Sequence, residues 1–177
     1  MMRLAVSFGQ GLQMTNILKD IWEDRHANAC WLPRSVLGED FDLARLEELG
    51  GTPAFRSGLD RLLAVGHAHL RNALEYTCMI PKSETGIRKF CLWAIGLAVL
   101  TLRKIHNHPE FRSAAEVKVS RRTVKATILT TNVTLISNRA LHLLFERVAA
   151  GLPLARDALF DASSGEFPGL QRRIDVV

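Results

Sequence analysis

The chain has 177 residues, 47% of them hydrophobic, and a formal net charge of +5 at pH 7. This length fits one domain with a sizeable core, and three cysteines without CxxC spacing exclude a disulfide framework and a structural zinc site. The basic surplus suits nucleic acid, anionic lipid or a phosphorylated small molecule, and charge alone does not choose among them.

Helical periodicity and sparse aromatic residues predict an all-α fold. Six segments have helical patterns bounded by caps, prolines or glycines: residues 3–24, 33–37, 43–49, 52–79, 87–106 and 120–150. Asp42, Thr52 and Ser120 are the predicted N-caps. The apolar run 90–102 is too short to span a membrane, which favours a buried core helix. Residues 1–150 are therefore predicted to form the domain, followed by a loosely ordered tail over 151–177.

The first predicted helix carries a stripe of oxygen ligands. Asn16, Asp20 and Asp24 are spaced four residues apart, so a helix places them on one side. Most of the remaining circumference is apolar, which is typical of a buried helix and predicts that the stripe faces an internal cavity. Buried carboxylates need a compensating cation, and hard oxygen donors suit Mg²⁺. The alternative is an ordinary solvated face.

A basic cluster lies at the start of the last predicted helix. Lys118, Arg121, Arg122 and Lys125 surround the Ser120 cap, where backbone N–H groups and the helix dipole already favour an anion. Cations at this position predict an anionic ligand, and the alternative is a solvated basic patch. Because no nucleic-acid motif is present, a phosphate-bearing small molecule fits better than RNA or DNA.

These motifs resemble a known family. The run from Gln13 to Asp24, followed by Trp31-Leu32-Pro33, is similar to the second aspartate-rich motif of the squalene and phytoene synthases. The runs 80–81, 88–98 and 117–121 resemble the squalene synthase branch, in particular the bacterial enzymes. The resemblance extends over about residues 3–150.

The resemblance implies an all-α isoprenoid synthase helical bundle. It also implies a squalene synthase of sterol or hopanoid biosynthesis, which condenses two farnesyl diphosphates head to head through presqualene diphosphate and reduces the product with NADPH. Phytoene synthase and presqualene diphosphate synthase are the alternatives within the family. A non-catalytic helical module that binds a prenyl diphosphate is the alternative from another class.

The resemblance also implies roles for individual residues. Asn16, Asp20 and Asp24 hold Mg²⁺ against a diphosphate, and the two aspartates are catalytic. Gln13 and Lys19 support the substrate. Phe90 is implied to be a catalytic aromatic face near a carbocation. Lys118 and Arg121 are implied to meet diphosphate or NADPH phosphate, and Arg122 is implied to bind NADPH.

The sequence departs from the family pattern in one large respect. Members carry an earlier aspartate-rich motif on a facing helix, and this sequence has none, so we expect the C-terminal part of an incomplete bundle. Such a chain is expected to be inactive alone and to be complemented by an N-terminal half. The membrane anchor of some members is also missing, which predicts a cytoplasmic protein with at most peripheral membrane contact for release of a lipid product.

Overall fold

Nine α-helices and no strand make up the part of the chain that the computed structural model describes, residues 1–37, 41 and 43–159. The predicted all-α class is therefore confirmed. The helices are α1 (Met2–Lys19), α2 (Ile21–His26), α3 (Arg34–Leu37), α4 (Leu46–Leu49), α5 (Pro53–Met79), α6 (Thr85–Asn107), α7 (Ala114–Val117), α8 (Arg121–Thr134) and α9 (Asn138–Ala149). Two short 3₁₀ turns cover Leu43–Arg45 and Arg156–Ala158.

Helix α5 is the central support of the bundle. It begins as predicted, with Pro53 at the first position and the Thr52 side chain accepting a hydrogen bond from the Phe55 N–H. It packs against α1, α3, α6 and α9. Its buried face therefore determines how the helices that carry the candidate site are oriented.

Small residues bring α1 close to α5. Ser7, Gly11 and Thr15 are buried at four-residue spacing on α1. A Cβ on Gly11 would lie 3.0 Å from a methyl group of Leu70 and 3.1 Å from its backbone nitrogen. The small side chains therefore face the core, and the side of α1 that carries Asn16 faces outward.

Helix α6 is a core helix that packs against α1, α5, α8 and α9. It extends beyond the apolar run 90–102, and among the described helices it is the one long and apolar enough to cross a membrane by length and composition. Its Arg88 is fully buried and donates hydrogen bonds to four acceptors. These are the carbonyl oxygens of Thr77, Ile80 and Leu135 and the side chain of Asn138.

The segment 120–150, predicted as one helix, is two helices. Helix α8 ends at Thr134, and the Ser137 side chain caps α9 by accepting from the Ala140 N–H. Threonine hydroxyls in α8, including that of Thr134, bond to carbonyl oxygens of the preceding turn, which disfavours continuation of the helix. The freed Leu135 carbonyl is taken by the buried Arg88 guanidinium.

Three smaller differences concern helix ends. The first predicted helix is interrupted at Asp20, although the Asp20 and Asp24 N–H groups still bond to the carbonyls four residues earlier. The sequence did not predict α7. The predicted cap Asp42 lies outside the described residues.

The beginning of the predicted tail lies against α5. The Ala155 N–H donates to the Ala64 carbonyl at 3.1 Å. The His67 ring bonds to the Pro153 carbonyl at 2.9 Å, and the Asn72 amide donates to the Ala158 carbonyl at 2.9 Å. Residues up to 159 are therefore fixed on the bundle, and residues 160–177 lie outside the described part.

Candidate functional site

Asn16, Asp20 and Asp24 form one stripe at the junction of α1 and α2, called the acidic stripe below. The i to i+4 backbone bonds across the junction keep the three residues in helical register. Asn16 is exposed, whereas Asp20 and Asp24 are half-buried. The predicted internal cavity is not found, because no described helix covers this sector of α1. The small-residue interface with α5 explains the outward orientation.

The electrostatics of the acidic stripe favour a bound cation. Partial burial, followed by the negative charges of Asp20 and Glu23, raises the pKa of Asp24 above its ordinary value. Lys19 offsets part of this charge, with its Nζ 3.3 Å from Asp20 Oδ2. Two carboxylates and an amide oxygen are a donor set that suits Mg²⁺, which completes its shell with water and substrate phosphates.

The stripe alone does not make a closed metal site. Within the described ranges, no group of three or more His, Cys, Asp or Glu side chains is arranged to hold a metal ion. The residues therefore fit a magnesium ion that is shared with a phosphate ligand better than an ion enclosed by protein.

Glu23 connects the acidic stripe to α7. Its Oε1 accepts a hydrogen bond of 2.9 Å from the N–H of Ala114, the first residue of α7. This bond holds the start of α7 beside α2 and compensates an N–H group that the helix itself leaves unpaired. The neighbouring Trp22 is buried, with the Arg25 and Arg112 guanidinium groups 5.7 Å and 5.6 Å from its ring centroid.

Three residues of the predicted basic cluster, Lys118, Arg121 and Arg122, follow directly after α7, and we call them the cationic segment. Lys118, Arg121 and Arg122 are exposed, and none of them forms an ion pair with the acidic residues that the structure describes. The Lys104 ammonium donates to the Lys118 carbonyl at 2.8 Å, and Ser120 caps α8 as predicted. Four residues of α7 rise only about 6 Å. The cationic segment therefore starts one short helix away from Glu23 and the acidic stripe.

The other predicted site residues lie at separate positions. Gln13 is exposed on α1, one turn before Asn16. Phe90 is 67% exposed on α6, a helix that packs against α1. Gln13 therefore lies next to the acidic stripe on the same helix, whereas Phe90 lies on the neighbouring helix α6. The nearby Trp93, one turn further along α6, has a buried ring N–H without a hydrogen-bond partner.

Sequence reasoning missed the two side chains that position the site. These side chains are Glu23 and Lys104. Both act on the backbone around α7, a four-residue helix. No periodicity exists in so short a segment, so their partners could be found only in three dimensions.

An apolar cavity of about 90 Å³ lies elsewhere in the bundle. Its lining comes from α5, α6, α8 and α9, including Leu92, Val99, Thr131 and Phe145. No residue of α1 or α2 contributes to it. This cavity is therefore distinct from the acidic stripe and the cationic segment.

Comparison with known proteins identifies the family. The model of the squalene/phytoene synthase family matches residues 1–123, which include the acidic stripe, Phe90 and the cationic segment. Neither the curated proteins nor the solved structures gave a match. The all-helical fold is consistent with that family, whose members are prenyltransferase-type enzymes that bind prenyl diphosphates. Because the match covers more than half of the chain, the protein belongs to the squalene/phytoene synthase family.

Proposed function

We propose that this chain provides a diphosphate-binding wall of a squalene synthase, a farnesyl-diphosphate farnesyltransferase. The observation that supports this most directly is the hydrogen bond between Glu23 and the Ala114 N–H, which fixes the cationic segment one short helix from the acidic stripe. A diphosphate needs both partners, a divalent cation on one side and fixed positive charge on the other.

The acidic stripe would hold magnesium. Asn16, Asp20 and Asp24 present the oxygen donors, and a bound Mg²⁺ would neutralise negative charge as the diphosphate departs. Lys19 pairs with Asp20 in the structure, and if a magnesium ion were bound to that carboxylate, the ammonium would be available to a phosphate oxygen. Gln13, one turn earlier, would donate to the substrate.

The cationic segment and α6 would complete this wall. Lys118 and Arg121 are exposed and would bind the diphosphate or, with Arg122, the phosphates of NADPH. NADPH would supply the hydride for the reductive step. The exposed ring of Phe90 would stabilise an adjacent carbocation by a cation–π interaction, which is worth up to about 2 kcal/mol when desolvated.

Binding can be tested without turnover. Titration calorimetry with farnesyl diphosphate should show binding that requires Mg²⁺ and is abolished by EDTA. The double variant Lys118→Gln/Arg121→Gln should bind at least about tenfold more weakly, since two charge-assisted contacts are removed. The control Arg45→Gln/Arg56→Gln removes equal charge from exposed positions on the 3₁₀ turn and α5 and should bind as the wild type does. Magnesium-independent binding, or equal loss in both variants, would contradict the proposal.

The described residues hold one acidic wall, so condensation of two substrates needs further acidic groups facing the stripe. We therefore expect the isolated chain to bind farnesyl diphosphate but to form no squalene when Mg²⁺ and NADPH are added. Squalene production by the isolated chain would show that one wall suffices. Phytoene, or accumulation of presqualene diphosphate in the presence of NADPH, would assign one of the other activities of the family.

The same observation favours one second candidate, a non-catalytic module that binds a prenyl diphosphate. It predicts the same magnesium-dependent binding but no product, even after a facing helix with a second aspartate-rich motif is supplied by an added N-terminal half. Product formation after that addition would exclude it. In either case we propose a cytoplasmic protein, in keeping with its three free cysteines.

A further inference from the structure

A second group of titratable side chains lies between α5 and α9, away from the acidic stripe on α1 and α2. The Sγ atom of Cys78 is 3.8 Å from Nε2 of His142, and Nδ1 of the same ring is 3.7 Å from Oε1 of Glu75. We call these three residues the Cys–His–Glu cluster. Cys78 and His142 are 64 residues apart in the chain, so no motif spacing marks the pair in the sequence.

Contacts on both sides hold His142 in place between the two helices. One turn before it on α9, the Asn138 amide donates to the Cys78 carbonyl at 3.2 Å. One turn after it, Glu146 forms an ion pair of 2.8 Å with Arg71 of α5. These three residues of α9 are spaced four apart and lie on one side of the helix. They meet residues of α5 in descending order, so the two helices are antiparallel and the imidazole is fixed between two other contacts.

The geometry of the cluster matches that of a metal-bound histidine. Such a histidine usually donates its other ring N–H to a carboxylate, which fixes the tautomer. Glu75 lies on that side of the ring and favours a proton on Nδ1, which leaves the Nε2 lone pair facing Cys78. Zn–S and Zn–N bonds of about 2.3 Å and about 2.0–2.1 Å, at a tetrahedral angle, place sulfur and nitrogen about 3.6 Å apart. The observed 3.8 Å fits a zinc ion between the two atoms after a small adjustment.

The same residue types also occur in enzymes as a nucleophile, a base and an orienting acid. Two features disfavour that role for Cys78. It lies at the C-terminal end of α5, where the helix dipole opposes a thiolate. Burial, followed by the negative charge of Glu75, also raises the pKa of the thiol to about 11, so the thiol is protonated at neutral pH. A coordinated metal ion removes the thiol proton outright, so coordination suits the cluster better than nucleophilic attack.

Charge in the cluster favours a divalent cation. A Cys78 thiolate and the Glu75 carboxylate together balance a charge of 2+, whereas Glu146 on the next turn is already paired with Arg71. Thiolate and imidazole ligands select zinc, whereas Mg²⁺ prefers oxygen donors. The Cys–His–Glu cluster and the acidic stripe therefore suit different ions.

We propose that Cys78 and His142 bind a zinc ion that joins α5 to α9, with Glu75 holding the imidazole from its far side. Two protein atoms coordinate the ion and water completes its shell, in keeping with the finding that no group of three such ligands is arranged around one point in the described residues. The site is thus not the closed structural site that the cysteine spacing excludes. The family match ends at residue 123, before His142, and gives this pair no role.

Cobalt is the probe that tests the site, because a thiolate bound to Co²⁺ gives a charge-transfer absorption band in the near ultraviolet and oxygen ligands do not. The reduced, metal-free full chain should bind one Co²⁺ with this band in a buffer that contains millimolar Mg²⁺. Zn²⁺ should abolish the band by replacing the cobalt. Magnesium occupies sites of oxygen ligands but does not compete for a thiolate.

Variants of the two ligands identify the atoms that bind the ion. Cys78→Ser should abolish the band, since no thiolate remains at the site. His142→Gln should weaken Co²⁺ binding by at least about tenfold, the loss expected even for changes outside the ligand shell. Cys30→Ser and His108→Gln, at exposed residues elsewhere, are the matched controls and should titrate as the wild type does.

Glu75→Gln tests the supporting carboxylate, because it leaves both ligands in place. It should weaken Co²⁺ binding by about 10–100-fold, whereas Glu146→Gln, which removes an equal charge from the same interface, should weaken it far less. Circular dichroism in EDTA establishes that each variant is folded. Zn²⁺ should also raise the melting temperature of the wild type but not that of His142→Gln.

Absence of the charge-transfer band from the wild type would overturn the proposal, and so would a band that Cys78→Ser retains. A band that Cys30→Ser abolishes would assign the ion to that cysteine instead. These measurements need no diphosphate and no residue of the acidic stripe. Their outcome is therefore independent of the proposed enzymatic function.

Discussion

At the scale of single residues, the unfavourable electrostatics of the acidic stripe act on Asp24. Burial and the nearby charges of Asp20 and Glu23 raise its pKa, so its ionised form is disfavoured in the folded protein without a cation. A divalent ion would reverse this effect, because it favours the ionised form of every carboxylate around it. Removal of the Asp24 charge should therefore have opposite consequences in the absence and presence of magnesium.

We expect Asp24→Asn to be as stable as the wild type in EDTA, or more stable by up to about 0.5 kcal/mol after allowance for solvent screening. Millimolar Mg²⁺ should raise the melting temperature of the wild type by ligand linkage and raise that of the variant much less. Asp157→Asn, the same change at an exposed residue, is the control and should keep the full magnesium response. An equal response in Asp24→Asn would remove this residue from the proposed magnesium site.

At the scale of helices, the close approach of α1 and α5 depends on Gly11. An added Cβ at this position would meet both the side chain and the backbone of Leu70, and backbone atoms cannot move aside without shifting a helix. Gly9 lies on the opposite, exposed side of α1, and a Cβ there would have no neighbour within 4 Å. The two glycines thus separate the effect of packing from that of helix propensity.

Gly11→Ala should lower the free energy of unfolding by about 1–3 kcal/mol, since overpacking exceeds the gain in propensity. Gly9→Ala should raise it by about 0.5–1 kcal/mol through propensity alone. Urea unfolding at constant pH measures both. If both variants are stabilised to the same extent, α1 does not approach α5 as closely as the structure shows.

The same interface shows how far the sequence could predict the site. Four-residue spacing sufficed to place Asn16, Asp20 and Asp24 on one side, because helix geometry is local. Their outward orientation depends on Ser7, Gly11 and Thr15, which pack on α5 although larger apolar residues are available on α1. Phe8 and Ile17 also pack against the core, partly buried, so the hydrophobic pattern identifies α1 as a core helix. It does not reveal which sector the small residues turn toward α5, and the polar sector was therefore predicted to face an internal cavity rather than outward.

The helix predictions differ in success for a similar reason. Thr52 and Pro53 give an unambiguous local start for α5, and the structure confirms it. The break between α8 and α9 follows from a contact at long range, in which Arg88 of α6 takes the carbonyl of Leu135. Such a partner leaves no periodic signal near the break itself.

At the scale of the whole molecule, a buried histidine fastens the segment after α9 to α5. The His67 ring donates from Nδ1 to the Pro153 carbonyl, which leaves its buried Nε2 without a partner. Burial is the main reason that the pKa of His67 lies below its ordinary value of 6.5. Burial also lowers the pKa of His69, whose ring bonds to Ser7 on α1. The junctions of α5 with α1 and with the C-terminal segment therefore both depend on neutral histidines.

The pH dependence of stability should reflect this burial. As the pH falls below about 6.5, the unfolded chain binds protons at these histidines while the folded protein does not, so the free energy of unfolding decreases. Each such proton contributes a slope of at most about 1.4 kcal/mol per pH unit.

His67→Asn retains a donor for the Pro153 carbonyl but cannot titrate. Its stability should therefore fall less steeply between pH 6.5 and 5 than that of the wild type, by up to one proton in the slope. Urea unfolding across this range measures the free energy of unfolding of both proteins, and the contributions of the histidines that both contain cancel in the difference. If the two free energies change with pH by the same amount, His67 is protonated equally in the folded and unfolded states.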